Sequence, residues 1–170
     1  MKYPPLTIFN DKDEPIGEAY LSEIHEQGLF HRGVTIAVLD PKGKLLLQKR
    51  GKNVATNANR WDISAAGYVN ADEAYYDAAK RELFEEIGVK ASHLKEVAYY
   101  HTDDIVEDRR LNRFIKIYQI IVPSDSKFVI DHGELSEVRW FDIKELKDQL
   151  IQNPNDFNHD LNEVLIKLQL

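Results

Sequence analysis

A chain of 170 residues, 43% hydrophobic and 30% charged, is long enough to bury one self-supporting core. It contains no cysteine, which excludes disulfides, thiolate metal sites and cysteine nucleophiles. A formal net charge of -7 and a pI near 5.4 set the overall field against polyanions, so long nucleic acid is not an expected partner.

Taken in order, MKYPPLTIFND at the N-terminus has no apolar run of signal-peptide length. No segment reaches the ~20 apolar residues of a membrane span. The expectation is a cytoplasmic protein that does not enter a membrane. Residues 6 to 20 read as two short strands around a polar turn from Asn10 to Pro15. Leu21 to Gln27 reads as a short helix closed by Gly28. Gly33 to Leu39 and Lys44 to Gln48 read as a β-hairpin around Asp40-Pro41-Lys42-Gly43. A basic loop beginning Lys49-Arg50-Gly51-Lys52 leads to a short strand at Trp61 to Ser64. Leu94 to His101 and Arg113 to Val122 read as antiparallel strands separated by a charged loop, Thr102 to Asn112. Ser136 to Phe141 is a further strand. Asp142 then caps a helix from Ile143 to Ile151, which Pro154 stops, and residues 161 to 170 form an amphipathic tail. Strands, helix, strands, helix, helix is not an alternating βαβ order, so an α+β mixed sheet is expected in one domain over residues 1–170. Residues 1–30 form an N-terminal strand extension of that domain.

The segment Gly67 to Val89, GYVNADEAYYDAAKRELFEEIGV, is the informative one. Spacings of three and four put Glu82, Glu85 and Glu86 on one arc of a helix, beside the apolar face of Tyr76, Ala79, Leu83 and Ile87. The stripe alone has two readings. It is a solvated acidic face, for which like charges cost only a few tenths of a kcal/mol. Or it is a cation site, since partly buried carboxylates about 6 Å apart repel by roughly 3 kcal/mol per pair. Asn70 or Asp72 can cap the helix, with Glu73 three after Asn70 as in a capping box, and Gly88 can close it in a left-handed conformation. Gly67, without a Cβ, allows close backbone approach and can aim its carbonyl at an ion. Arg81 and Glu85 form an i,i+4 pair.

Read in order, the segment is Gly67, five residues, Glu73, seven residues, Arg81, Glu82, Leu83, one residue, Glu85, Glu86, one residue, Gly88 and Val89. This resembles the complete Nudix box, with no position departing from it. The resemblance implies an α/β/α sandwich in which a loop-helix-loop unit holds Mg²⁺, or Mn²⁺ in its place, against a small diphosphate substrate. The metal ligands it implies are Glu82, Glu85, Glu86 and the Gly67 carbonyl, with Glu73, Arg81 and Gly88 structural.

The run from Ile24 through Val89, with HEQGLFHRGV, LLLQKR and WDISAAGYV, is similar to the Nudix branch related to isopentenyl-diphosphate isomerase. The isomerase cysteine before the box glycine is replaced here by Ala65 and Ala66, and its following histidine ligand by Tyr68. His25 and His31 resemble two further ligands at a spacing one residue short, and are read as surface or structural histidines. The later acidic ligands are missing from Leu111 to Ile117, LNRFIKI. Hydrolysis of a diphosphate linkage is therefore expected, with an isomerase-like protein and a non-catalytic ligand-sensing domain as the alternatives.

Glu82 can double as the base that activates water. In several Nudix enzymes that base comes from a later loop or strand, where Glu137 is the first candidate and Glu134 the second, each otherwise an ordinary solvated acid. Arg50 and Lys52 are candidate phosphate contacts against a reading as surface charge. Arg113, with Phe30, Tyr99, Tyr100 and His101, is a candidate for holding the rest of the substrate against a reading as core. The sequence leaves the substrate and the oligomeric state open, a homodimer included.

Overall fold

Two strands that are apolar at consecutive positions organise the fold, because such strands must be covered on both faces. They are β3 (His31–Leu39) and β4 (Leu45–Arg50), seen in a computed structural model that describes residues 4–106 and 109–170. Val34, Ile36 and Val38 of β3 and Leu46 of β4 meet Ala79, Leu83 and Ile87 of α2 (Tyr75–Ile87). Ala37, Leu39, Leu45 and Leu47 meet Leu146 of α3 (Ile143–Gln152) and Leu161, Val164 and Leu165 of α4 (Leu161–Lys167). Alternate residues thus enter opposite layers, and the result is the expected α/β/α sandwich. Leu83 and Ile87 are fully buried, and each contributes roughly 1.5–3 kcal/mol by leaving water.

The main sheet runs β5 (Trp61–Ile63), β4, β3, β8 (Arg109–Ile121), β7 (Lys95–Val106), while β6 (Ala65–Tyr68) pairs with β3 and β9 (Leu135–Phe141) pairs with β4. β3 and β8 are parallel and the other pairs antiparallel, so the sheet is mixed as expected. The N-terminal strands β1 (Leu6–Phe9) and β2 (Pro15–Ala19) form their own two-stranded sheet. It is tied to β3 by an ion pair of Asp13 with Arg32 at 2.8 Å. The short helix α1 (Leu21–Gln27) ends, as expected, at Gly28 with φ 64°.

The expected hairpin of β3 and β4 is only a corner. Its turn forms, with Asp40 Oδ1 accepting from the backbone N–H groups of Lys42 and Lys44, but the strands pair only at Leu39 and Leu45. Beyond that point each takes other neighbours. Ser64 bridges the split, donating to the Leu46 carbonyl and accepting from the Val38 N–H. This divergence opens the sheet beside α2 and admits β6.

The charged loop expected at Thr102 to Asn112 is also corrected. β7 and β8 continue through it, and the charges pair across the ladder, as in Asp103 with Arg110 at 2.8 Å; residues 107 and 108 of that stretch lie outside the described residues. Asp142 caps α3 as expected, accepting from the N–H groups of Lys144 and Glu145.

Candidate active site

The site is built where β6 passes under α2. The helix starts one residue after Ala74, which makes no side-chain cap, so the expected caps at Asn70 and Asp72 are not formed. Glu73 nonetheless makes its half of the expected capping box, in the loop ahead of the helix. Its carboxylate accepts from the Asn70 N–H at 2.9 Å and from Arg81 Nε and Nη2, each at 2.8 Å. Arg81 completes its fork by donating to Glu82 at 2.6 Å, to Glu85 at 3.2 Å and to the Tyr68 carbonyl at 2.9 Å. One planar guanidinium thereby ties the loop before the helix, the end of β6 and two of the acidic residues together.

Gly67 lies against Glu82 so closely that a Cβ built on it would collide with the carboxylate. Glu86 is only 5% exposed. Its Oε2 accepts from the Ala66 N–H and from Gln48 Nε2, both at 3.1 Å. Among the described residues its Oε1 takes no hydrogen bond. Glu85, with its side chain 57% exposed, stands at the rim. Gly88 closes the helix in the left-handed region at φ 74°, as expected. The segment after it turns back, with Val129 and Asp131 N–H groups donating to the Ile87 and Glu86 carbonyls.

These surroundings disfavour negative charge. Burial pushes the Glu82 carboxyl up to about 7, with the nearby Glu85 and Glu134 adding and Arg81 opposing. Glu86 is raised well above the ordinary range, by burial first and then by the charge on Glu82, with Glu134 and Asp62 behind it. A buried and a half-buried carboxylate, both resisting ionisation, with the second packed against Gly67, form a donor set that suits a hard divalent cation.

The other expected site residues divide. Glu134 acts electrostatically on both Glu82 and Glu86, and its carbonyl accepts from the Gly51 N–H at 2.7 Å. Glu137 is on the other side of the sheet: it pairs across the ladder with Lys49, out of phase with the Gln48–Val138 pair that faces α2. There it accepts from Arg139 at 2.6 Å.

Arg50 is two residues beyond Gln48 on β4, with Nε donating to the Thr56 carbonyl and Nη1 at 4.0 Å from Asp62. Arg113 is not directed at the box. It faces the α4 layer and is paired with Asp104 at 3.1 Å and Asp160 at 2.9 Å, because a buried guanidinium requires counter-charges. His31 is fully buried, with burial lowering its pKa to about 4, and packs with His25 and Tyr68. That is a structural setting, and for His31 not a surface one. Gln48 was not singled out from sequence, although one amide ending the run LLLQ was a signal for it.

The NUDIX domain profile matches residues 29–161. The chain is 34% identical over 156 residues to isopentenyl-diphosphate Delta-isomerase 2 of Photorhabdus laumondii, covering 89% of this chain and 84% of that one. It is 32% identical over 131 residues to an uncharacterised Nudix hydrolase of Pseudomonas aeruginosa, covering 77% and 74%. The crystal structure of DR0079 from Deinococcus radiodurans superposes with a TM-score of 0.81 at 21% identity, over 96% of this chain and 98% of that one, a likeness of fold.

Proposed function

The chain belongs to the Nudix family, and from that premise we propose that it is a Mg²⁺-dependent enzyme hydrolysing the diphosphate linkage of a small substrate, either a nucleoside diphosphate joined to a further group or a related organic diphosphate. The observation that carries the reading is the pair of Glu82 and Glu86, the first half-buried and packed where only a glycine at 67 leaves room for its carboxylate, the second buried, and both made to resist ionisation chiefly by burial.

Glu82, Glu85, Glu86 and the Gly67 carbonyl are the groups that would hold the ion. When bound, it neutralises phosphate charge and lowers the pKa of coordinated water. The protein's part is positional. Arg81 aligns Glu82 and Glu85, and the Ala66 N–H and Gln48 fix one oxygen of Glu86. Water attacks phosphorus, the bridging P–O bond breaks, and the leaving phosphate takes the electron pair. The proton of the attacking water passes to a carboxylate. Glu134, beside Glu82 and Glu86 and without an ion pair among the described residues, is better placed for that than Glu137, with Glu82 the alternative.

The experiment is a screen of nucleoside diphosphates, nucleotide sugars, dinucleotides and isoprenoid diphosphates with Mg²⁺ and with EDTA. Metal-dependent cleavage of at least one, lowered by about 10²-fold or more in kcat by Glu86→Gln or Glu82→Gln, is expected. Wild-type turnover in both variants, or no cleavage of any substrate with Mg²⁺ or Mn²⁺, would overturn the reading.

The relative named as an isomerase favours a second reading, isomerisation of an isoprenoid diphosphate. That reaction needs a proton donor and acceptor on opposite faces of the carbon skeleton. The chain has no cysteine, and Ala65 and Ala66 precede Gly67, so hydrolysis is preferred.

A further inference from the structure

Gln48 is 1% exposed, the one amide on the α2 side of β4, and its two ends have different fates. Nε2 donates to Glu86 Oε2 at 3.1 Å, whereas Oε1 is buried with no hydrogen-bond partner. Once a bound cation holds Glu86 ionised, the amide cannot be turned the other way without setting its oxygen against the carboxylate, since both are then acceptors. A buried carbonyl left unpaired costs about 1–3 kcal/mol, so an apolar residue of the same size would serve the core better. Leu46, the preceding residue on that face, is such a residue.

The geometry points to Gln48 as a positioning residue for the metal-binding carboxylate: its N–H holds Glu86 Oε2, with the Ala66 N–H, so that Glu86 Oε1 is the oxygen left for an ion. The inference rests on the reading of Glu86 as a metal ligand and adds the residue that orients it. Two donors on one oxygen fix the carboxylate plane more firmly than one, and such outer contacts commonly set metal affinity by about 10–100-fold. Mg²⁺ and Mn²⁺ retain coordinated water in sites of this type, and such a water would supply a donor to Gln48 Oε1.

The test is a double-mutant cycle on Mn²⁺ binding, followed by electron paramagnetic resonance of free Mn²⁺ in the full-length protein without substrate. The variants are Gln48→Met, Glu86→Gln and both together. Glu86→Gln is expected to weaken binding strongly. Gln48→Met should weaken it about 10-fold or more alone and less than about 2-fold in the Glu86→Gln background, because there is then no carboxylate left to orient. Its melting temperature without metal should be unchanged or raised, since an unpaired buried acceptor has been removed. A purely structural Gln48 would give the opposite pattern, a lowered melting temperature with Mn²⁺ affinity intact, and that result overturns the proposal. Equal losses in both backgrounds overturn it too, as Gln48 would then act independently of Glu86. If Glu86→Gln itself leaves Mn²⁺ binding unchanged, the fault lies in the ligand reading and the proposal falls with it. Should Gln48→Met not fold, Gln48→Asn takes its place: it keeps a buried amide but withdraws it by one methylene, and wild-type affinity in that variant counts against the positioning role.

Discussion

Replacing Glu82 by glutamine should stabilise the metal-free protein, and by an amount that depends on pH in a defined direction. Its folded-state pKa is raised from 4.5 to about 7, chiefly by burial. Between those two values the native state binds more protons than the unfolded chain, so stability falls as pH rises from about 4.5 to about 7 and is level above that. At about 1.4 kcal/mol per pH unit, the loss is roughly 3 kcal/mol. Other groups titrate in the same range. His31, buried and held neutral down to about pH 4, gains stability as pH rises toward 6.5, the opposite slope. The informative quantity is therefore the difference between wild type and Glu82→Gln, not either curve. Urea unfolding in EDTA should find the two nearly equal at about pH 4, where the glutamate is neutral. By about pH 8 the variant should lead by roughly 3 kcal/mol, equivalent to some 6–12 °C in melting temperature for a chain of this size. Saturating Mg²⁺ should shrink or reverse that lead, because it stabilises only the form that binds it. Superimposable pH profiles in EDTA, or a wild type that gains on the variant as pH rises, would refute the claim that Glu82 is buried against its charge.

Glu134→Gln should lower kcat by about 10²-fold with Mn²⁺ affinity largely kept, while Glu137→Gln, on the opposite face of the sheet, should remain near wild type; the reverse ranking would restore Glu137 as the base. Gly67→Ala should fold but bind Mn²⁺ at least 10-fold more weakly, since the added methyl displaces the Glu82 carboxylate, and an unchanged titration would show that the gap is not needed. Isopentenyl diphosphate should yield no dimethylallyl diphosphate above the no-enzyme control, as read by chromatography, whether or not phosphate is released. Arg113→Met should lower stability by roughly 1–3 kcal/mol in urea unfolding, leaving Asp104 without its ion pair and Asp160 with His159 alone, with Mn²⁺ affinity unchanged.

What can be read from the residues alone is what depends on neighbours a few positions apart. The phase of α2, the shared arc of Glu82, Glu85 and Glu86, the glycine that closes the helix and the cap at Asp142 follow from offsets of three, four or one, and the structure has all of them. The period of two along β3 separates its two faces but names no partner, and a strand apolar on both faces accepts many. Hence the expected hairpin dissolved after one pair, and a charged stretch expected as a loop became a ladder of cross-strand pairs. The same limit governs the site. Glu134 and Glu137 are chemically alike and three residues apart, and only the register of β9 on β4 puts Glu137 behind the sheet. Arg113 reads as a free cation until burial brings Asp160 to it from 47 residues away. Gln48, Ala66 and Glu86 are separated by up to 38 residues. They meet because β3 and β4 diverge, and that divergence is set by packing of both sheet faces at once, a condition no local pattern contains.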